Sequence, residues 1–180
     1  MPIYDNDGTT SKQISALYDN AGASSIQIGY VYDNDGTTDH LIYTSAQYLF
    51  NYGSVSGVSW TMGRGAWVGA DFIGVAESSN NFASLAYTAQ KADLTKFSAL
   101  KAYVKLRPEN WVGGQTGIIV NTEPSTLNVT KDKNIKNTAE NANKYFTLAI
   151  DISDISGSYY IVPYCANASS GGYFYQIWLE

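Results

Sequence analysis

The sequence of 180 residues contains one cysteine, Cys165, and one histidine, His40. A single cysteine excludes a disulfide framework within the chain, and we expect Cys165 to be a small core residue of a strand. A single histidine excludes a histidine-based metal cluster within one chain. No apolar run approaches the roughly 18 residues of a membrane helix, and the N-terminus lacks a basic region followed by an apolar stretch. We therefore expect neither a membrane span nor a secretory signal.

Tyrosine and glycine are abundant instead, with 15 Tyr and 16 Gly, which is typical of short strands joined by turns. The net charge of −5 lies entirely in residues 1–46, which carry six acids and one base. Residues 47–180 carry ten acids and ten bases, with no basic stripe that could follow a phosphate backbone. Nucleic acid is therefore not an expected partner.

Residues 3–44 consist of three 14-residue units that share the motif YDN(D/A)G. Asp or Asn followed by Gly predicts a turn, so we expect one strand and one turn per unit, with strands at 13–18, 27–32 and 41–46. The three strands would form a meander too small to be stable alone. We therefore predict that residues 1–46 dock or oligomerise, a homotrimer being favoured, through the repeated apolar positions Tyr4, Ile14, Tyr18, Ile28, Tyr32 and Ile42.

The Asp-rich turns also suggest calcium, with Asp5, Asp7, Asp33 and Asp35 as ligands. Calcium takes about six to eight oxygen ligands, and an EF-hand loop ends in a bidentate Glu that is missing here. Structural turns are therefore favoured over calcium sites, and no cofactor is expected.

The remaining chain predicts an all-β fold: after a linker at 47–57, residues 58–180 should form an antiparallel β-sandwich, a jelly roll. The clearest strand is 98–106, where apolar residues alternate with Lys101, Tyr103 and Lys105. Polar residues 131–144 predict a long loop, or else a short helix. The other expected strands are 58–62, 66–76, 82–90, 115–121, 126–130, 145–151, 158–166 and 173–180.

Three segments resemble parts of bacteriophage structural proteins, especially from phages of gut Firmicutes. DLTKFSALKAYVKL (93–106) is similar to a segment of their jelly-roll domains, and DISDISGSYYIVPY (151–164) with the terminal YFYQIWLE is similar to the closing strands. The YDNDGTT units resemble short repeats that precede such domains in tail, baseplate and head-fibre proteins. The resemblance implies a virion component, anchored by its N-terminus to other virion proteins and displaying the sandwich outward.

No catalytic constellation is evident. A nucleophile elbow of the form G-x-S-x-G is absent, and no pair of carboxylates stands out as in a glycosidase. We therefore expect a non-enzymatic protein. Flat aromatic rings favour sugar binding, and the candidate contacts are Trp111, at a turn, with Tyr164 and Tyr173; Trp67, in an apolar run, is expected in the core.

Three functions follow in order of preference. The first is a phage structural protein of the head-fibre, decoration, tail or baseplate type, located on the virion and in contact with a host cell-surface glycan. The alternative is a carbohydrate-binding module of a bacterial surface or secreted protein. The third is a glycan depolymerase.

Overall fold

The structure, a computed structural model, describes the backbone of residues 3–6, 11–14, 18–21, 24–27, 30–34 and 39–44, and all atoms of residues 46–53, 58–77, 83–108, 113–167 and 169–180. Every regular element in these ranges is a β-strand, as predicted. No helix in them is long and apolar enough to cross a bilayer. The chain divides into two compact units, residues 1–47 with 180, and residues 48–179.

The first unit contains three separate antiparallel hairpins. They are β1 (Ile3–Asn6) with β2 (Ser11–Ile14), β3 (Tyr18–Ala21) with β4 (Ser24–Gln27), and β5 (Tyr30–Asn34) with β6 (Asp39–Thr44). The prediction of one strand per 14-residue repeat is therefore wrong. Each repeat has its Tyr-Asp-Asn triplet in a strand, although Asp and Asn are poor strand formers, because residues of the same repeat pair with that strand.

The repeated tyrosines keep matching places in the hairpins. Tyr4, Tyr18 and Tyr32 lie opposite Gln13, Gln27 and Leu41. Ile14 lies opposite Ile3, Ile42 is in β6, and Ile28 lies outside the described residues. Of the calcium candidates, Asp5 and Asp33 are in β1 and β5, whereas Asp7 and Asp35 lie outside the described residues. Docking, trimer formation and calcium binding stay predictions.

The second unit is an antiparallel sandwich of two sheets, which confirms the predicted β-sandwich. The first sheet has the order β16-β13-β18-β10-β9, and β7 also pairs with β18. Its strands are β7 (Gln47–Asn51), β9 (Ala66–Val68), β10 (Ile73–Glu77), β13 (Ala99–Leu106), β16 (Tyr145–Asp151) and β18 (Ser170–Leu179).

The second sheet has the order β15-β14-β17-β11-β8, and β12 also pairs with β17. Its strands are β8 (Trp60–Met62), β11 (Ala83–Thr88), β12 (Ala92–Asp93), β14 (Gln115–Asn121), β15 (Lys131–Lys136) and β17 (Ser158–Ala166).

Four sequence predictions need correction. Residues 47–51 of the predicted linker form β7, because Leu49 and Phe50 are buried in the core. The run 66–76 is two strands, joined by a turn in which the Gly69 amide donates to the Phe72 carbonyl. Residues 126–130 are not a strand. Residues 131–136, predicted as part of a loop, form a strand. This polar segment pairs with β14 at the edge of the second sheet, and lysines are common in edge strands.

The core lies between the sheets and follows the alternation of the strands. In β13, Leu100, Ala102, Val104 and Leu106 point inward and are at most 1% exposed. Opposing them are residues such as Ile118 and Ile161 of the second sheet. Full burial of such a side chain contributes about 1.5–3 kcal/mol. Cys165 is buried among them, as expected, and burial raises the pKa of its thiol to about 11.

Asn137 joins the two sheets at one end and is 2% exposed. Its side-chain oxygen accepts from the Thr116 hydroxyl at 2.9 Å, and its side-chain nitrogen donates to the Gly171 carbonyl at 3.0 Å. Its backbone also bonds to Gly113 and Gly114. Since a buried polar group is stable only when it is hydrogen-bonded, this asparagine holds β14, β15 and β18 in a defined relation.

Candidate functional site: an aromatic sheet face

The outer surface of the first sheet carries a continuous group of aromatic rings. The rings lie on strand positions that alternate with core residues, or in the turns beside them, and their centroids are 4.8–6.5 Å apart. We call this group the aromatic face; it consists of Tyr52, Trp67, Phe72, Tyr103, Tyr145, Tyr173 and Tyr175. Its rings are partly exposed, with Tyr52 at 50% and Tyr145 at 49%.

Trp67 forms one end of the aromatic face because its neighbour in the sheet has no side chain. Gly74 pairs with Trp67 across β9 and β10, and a Cβ on Gly74 would lie 2.4 Å from two atoms of the indole. The ring therefore covers the backbone of β10. It makes edge-to-face contacts with Phe72 at 6.4 Å and Tyr173 at 6.2 Å, a favoured geometry for aromatic pairs.

A β-bulge sets the direction of Tyr175. In the pairing of β13 with β18, Tyr103 lies opposite Gln176 and Val104 opposite Phe174, so Tyr175 is the extra residue. A bulge changes the side-chain alternation of the strand that contains it. Phe174, Ile177 and Leu179 consequently all reach the core, while Tyr175 stays on the outer surface.

Tyr103 and Tyr145 form the flattest part of the face. Their rings are stacked with centroids 5.3 Å apart and planes at 14°. Tyr175 lies beside them, 5.9 Å from Tyr145. Burial, and then the neighbouring Tyr145, raise the pKa of Tyr175 to about 12. The hydroxyl of Tyr175 is therefore neutral near pH 7 and available as a hydrogen-bond donor or acceptor.

Cations lie against the same rings. The ammonium nitrogen of Lys105 is 5.3 Å from the centroid of Tyr145. The guanidinium carbon of Arg107 is 5.9 Å from the centroids of both Trp67 and Tyr173. Such cation–π contacts hold a charged group against an aromatic ring.

Tyr48 and Trp178 form a smaller aromatic pair towards the other end of β18, with centroids 6.0 Å apart. The Gln176 side chain donates to Asn51 at 2.9 Å beside them. Trp178 lies between the buried Ile177 and Leu179 in sequence, so it occupies the opposite side of the strand from those residues.

The aromatic face can bind a ligand by ring stacking, hydroxyl hydrogen bonds and positive charge. Among the residues that the structure describes, no group of three or more His, Cys, Asp or Glu side chains is placed to hold a metal ion. The buried carboxylate Glu77 lies elsewhere, near Arg64 and Ser84.

The three predicted ligand residues are not brought together. Tyr173 lies in the aromatic face. Tyr164 is on the second sheet and only 4% exposed, packed with Ile119 and Val162, and burial raises its pKa to about 12. It has too little exposed surface for ring stacking with a ligand. Trp111 lies outside the described residues.

Trp67 was expected in the core and instead lies on the outer surface, so that prediction is wrong. The apolar run around Trp67 in the sequence contains two strands and a turn, and the hydrophobic pattern alone does not show where one strand ends and the next begins. Sequence reasoning also missed Phe72, Tyr103 and Tyr145. The available signal was the alternation of 99–106, which puts Tyr103 on the solvent-facing side of the strand between two lysines.

Solved structures provide the comparison for this sandwich. A structure of a family 29 carbohydrate-binding module, a mutant studied for ligand recognition, superposes with a TM-score of 0.50 at 10% identity, covering 76% of this chain and 92% of the module. An adhesin domain of Lys-gingipain also superposes with a TM-score of 0.50, at 11% identity, covering 76% of this chain and 99% of that domain. The fold of the sandwich resembles a carbohydrate-binding module.

A family 11 carbohydrate-binding module of a Clostridium thermocellum cellulase is a further similar structure, with a TM-score of 0.46, 13% identity and coverage of 75% of this chain and 94% of the module. No protein-family model matches the sequence, and no curated protein does. At these identities the likeness to carbohydrate-binding modules concerns the fold alone.

Proposed function

We propose that the sandwich is a carbohydrate-binding module whose binding surface is the aromatic face. The observation that carries this proposal is the continuous group of partly exposed rings on one sheet. Large exposed aromatic patches are uncommon on protein surfaces unless they bind a partner. The fold similarity to a family 29 module supports the same function.

Sugar rings fit such a surface for a physical reason. A pyranose has apolar C–H groups on its faces and hydroxyls around its rim, so an aromatic ring covers the face while polar groups bond to the rim. Tyrosine supplies both, since its ring is apolar and its hydroxyl donates and accepts. The stacked pair Tyr103 and Tyr145 offers the ring surface, and Thr147 on β16 lies opposite Tyr103 to add a hydroxyl.

The arrangement favours an extended chain of sugars over a single sugar. One row of outward positions crosses the sheet from β9 to β16 and contains Trp67, Gly74, Tyr173, Lys105 and Tyr145. Five strands are separated by four spacings of about 4.8 Å, so the row is roughly 19 Å long. An oligosaccharide lying across the strands would contact rings at both ends of this row.

Tyr145→Ala tests the proposal with limited risk to the fold, since Tyr145 is 49% exposed on an edge strand. Truncation of an interface aromatic commonly costs more than about 1 kcal/mol, so we expect the affinity for glycan to fall at least about fivefold. Tyr87→Ala, on the outer side of the second sheet, is the matched control and should bind as the unaltered chain does. The measurement is a glycan array with multimerised protein, followed by calorimetric titration of the best ligand. An array without signal, or equal losses in both variants, would contradict the proposal.

The setting of this module is a second proposal, supported by the sequence resemblance to phage structural proteins. In that setting the repeats attach the chain to a virion and the aromatic face contacts a host cell-surface glycan, without enzymatic action. Mass spectrometry of purified phage particles from the source culture tests it. The chain should copurify with particles, and its presence only in the medium or on cells would favour a bacterial surface or secreted protein.

A further inference from the structure

Positive charge is concentrated on the strand that runs through the middle of the aromatic face. The outward residues of β13 are Ala99, Lys101, Tyr103 and Lys105, and the chain continues into Arg107. Residues 47–180 as a whole have equal numbers of acids and bases. The cations on this strand are therefore a local feature of the surface.

These cations lie among the rings on which a sugar would stack. Lys105 pairs across the sheet with Tyr145 on one side and Tyr173 on the other. Arg107 approaches the rings of Trp67 and Tyr173 equally, at 5.9 Å. A ligand lying along this row would contact the ring of Tyr145 or Trp67 and a cation together.

Negative charge on this surface is sparse and peripheral. At the outward strand positions that the structure describes in this sheet, the carboxylate is that of Asp151, at the end of β16. It already accepts two hydrogen bonds from Ser153, at 2.6 and 3.0 Å, which are the main reason that its pKa is lowered. Asp71, in the turn before β10, is close enough to Tyr175 to help raise the pKa of that residue.

We propose that the glycan recognised by this face is acidic, with a sugar carboxylate or sulfate held by Lys105; this rests on the proposed carbohydrate-binding function. Covering Lys105 with a neutral sugar would remove water from its charge without replacing that water by an opposite charge. A carboxylate or sulfate supplies that charge, and charge-assisted hydrogen bonds are stronger than neutral ones.

A single-stranded nucleic acid is the competing ligand, since it also combines stacking bases with negative charge. The surface favours the glycan. The cations of this surface lie on β13 and on Arg107, which follows it, whereas a nucleic acid needs contacts to successive phosphates along its length.

The test compares four variants of the full chain: unaltered, Lys105→Gln, Lys105→Arg, and the control Lys133→Gln, which alters an exposed lysine on the edge strand of the second sheet. The probes are polygalacturonate for carboxylate, chondroitin sulfate for sulfate, neutral galactan, and oligo-deoxythymidine. We expect the unaltered chain to bind one or both acidic glycans more tightly than galactan, with the difference decreasing as salt rises.

Lys105→Gln should lower affinity for the acidic glycan about tenfold and for galactan less than about twofold. Lys105→Arg should retain most of the acidic binding, and Lys133→Gln should change nothing. Binding to galactan as tight as to both acidic probes, or an equal loss on all probes, would overturn the acidic preference and leave the carbohydrate-binding function intact. Binding to no glycan at all would overturn the proposed function itself. Tighter binding to oligo-deoxythymidine, lost in Lys105→Gln, would reassign the face to nucleic acid.

Discussion

Gly74→Ala should displace the indole of Trp67 and weaken glycan binding while every aromatic side chain of the face is kept. The new Cβ would lie 2.4 Å from Cε2 and Cζ2 of the indole, closer than carbon atoms can approach. The backbone at Gly74 does not have a positive φ, so alanine is compatible with the strand itself. The strain therefore falls on the position of the ring.

The magnitude follows from the contacts that the ring would lose. Two edge-to-face pairs, with Phe72 and Tyr173, are worth about 0.5–1.5 kcal/mol each, and the contact with Arg107 about 0.5–1 kcal/mol. The lower end of that sum applies because the ring is partly exposed. Replacing glycine in the unfolded chain offsets about 0.4–1 kcal/mol. We expect a net loss of about 0.5–1 kcal/mol in the free energy of unfolding, or roughly 1–4 °C in Tm.

The assay is a double-mutant cycle of Gly74→Ala and Trp67→Ala, read by thermal unfolding and by calorimetric titration with the best glycan. If alanine at 74 acts by displacing the indole, it should reduce affinity about tenfold alone and have little further effect in the Trp67→Ala background. Unchanged binding and Tm in Gly74→Ala, or the same effect with and without the indole, would refute the placement of Trp67 over Gly74.

Four further outcomes are expected. Asn137→Ala should lower the free energy of unfolding by about 1–3 kcal/mol in urea titrations, because it removes the acceptor of the buried Thr116 hydroxyl and one of the two donors to the Gly171 carbonyl, whereas Asn134→Ala, at an exposed position, should lower it by less. The folded-state pKa of Tyr164 is raised from 10.0 to about 12, so its contribution to stability is complete below pH 10 and is lost as pH rises to about 12; Tyr164→Phe should flatten that part of the stability profile. A fragment that begins at residue 58 should not fold stably, because it lacks the core strand β7, whereas one that begins at residue 46 should give a cooperative unfolding transition. If residues 1–46 are the trimerisation element, light scattering should show a trimer for the full chain and a monomer for the fragment that begins at residue 46. The same number of chains per particle in both samples would contradict that role.

Local patterns in the sequence were sufficient for the all-β class and for most strands of the sandwich. In β13 and β14 the strand limits agree with the prediction to within a residue. In β13 the reason is that a half-buried strand repeats its apolar side every second residue, whereas β14 is a short run that is buried on both sides. The single cysteine was expected in the core because an unpaired cysteine usually behaves as a small apolar residue, and it is buried. The turn motif YDN(D/A)G predicted repetition correctly but misassigned the strands, since hairpin pairing within each unit includes residues of low strand propensity.

Only the tertiary structure decided which aromatic residues form one surface. The rings of this face come from residues far apart in sequence, such as Trp67, Tyr103, Tyr145 and Tyr173. They meet because their strands, β9, β13, β16 and β18, belong to one sheet. The direction of Tyr175 depends on a bulge, and the position of Trp67 depends on a glycine in the paired strand. Tyr164, like Tyr173, is a tyrosine in a predicted strand, but it lies on the second sheet and is buried. Sequence alternation determines that a side chain leaves the core, and the packing of neighbouring strands determines whether it then reaches solvent and which other side chains it contacts.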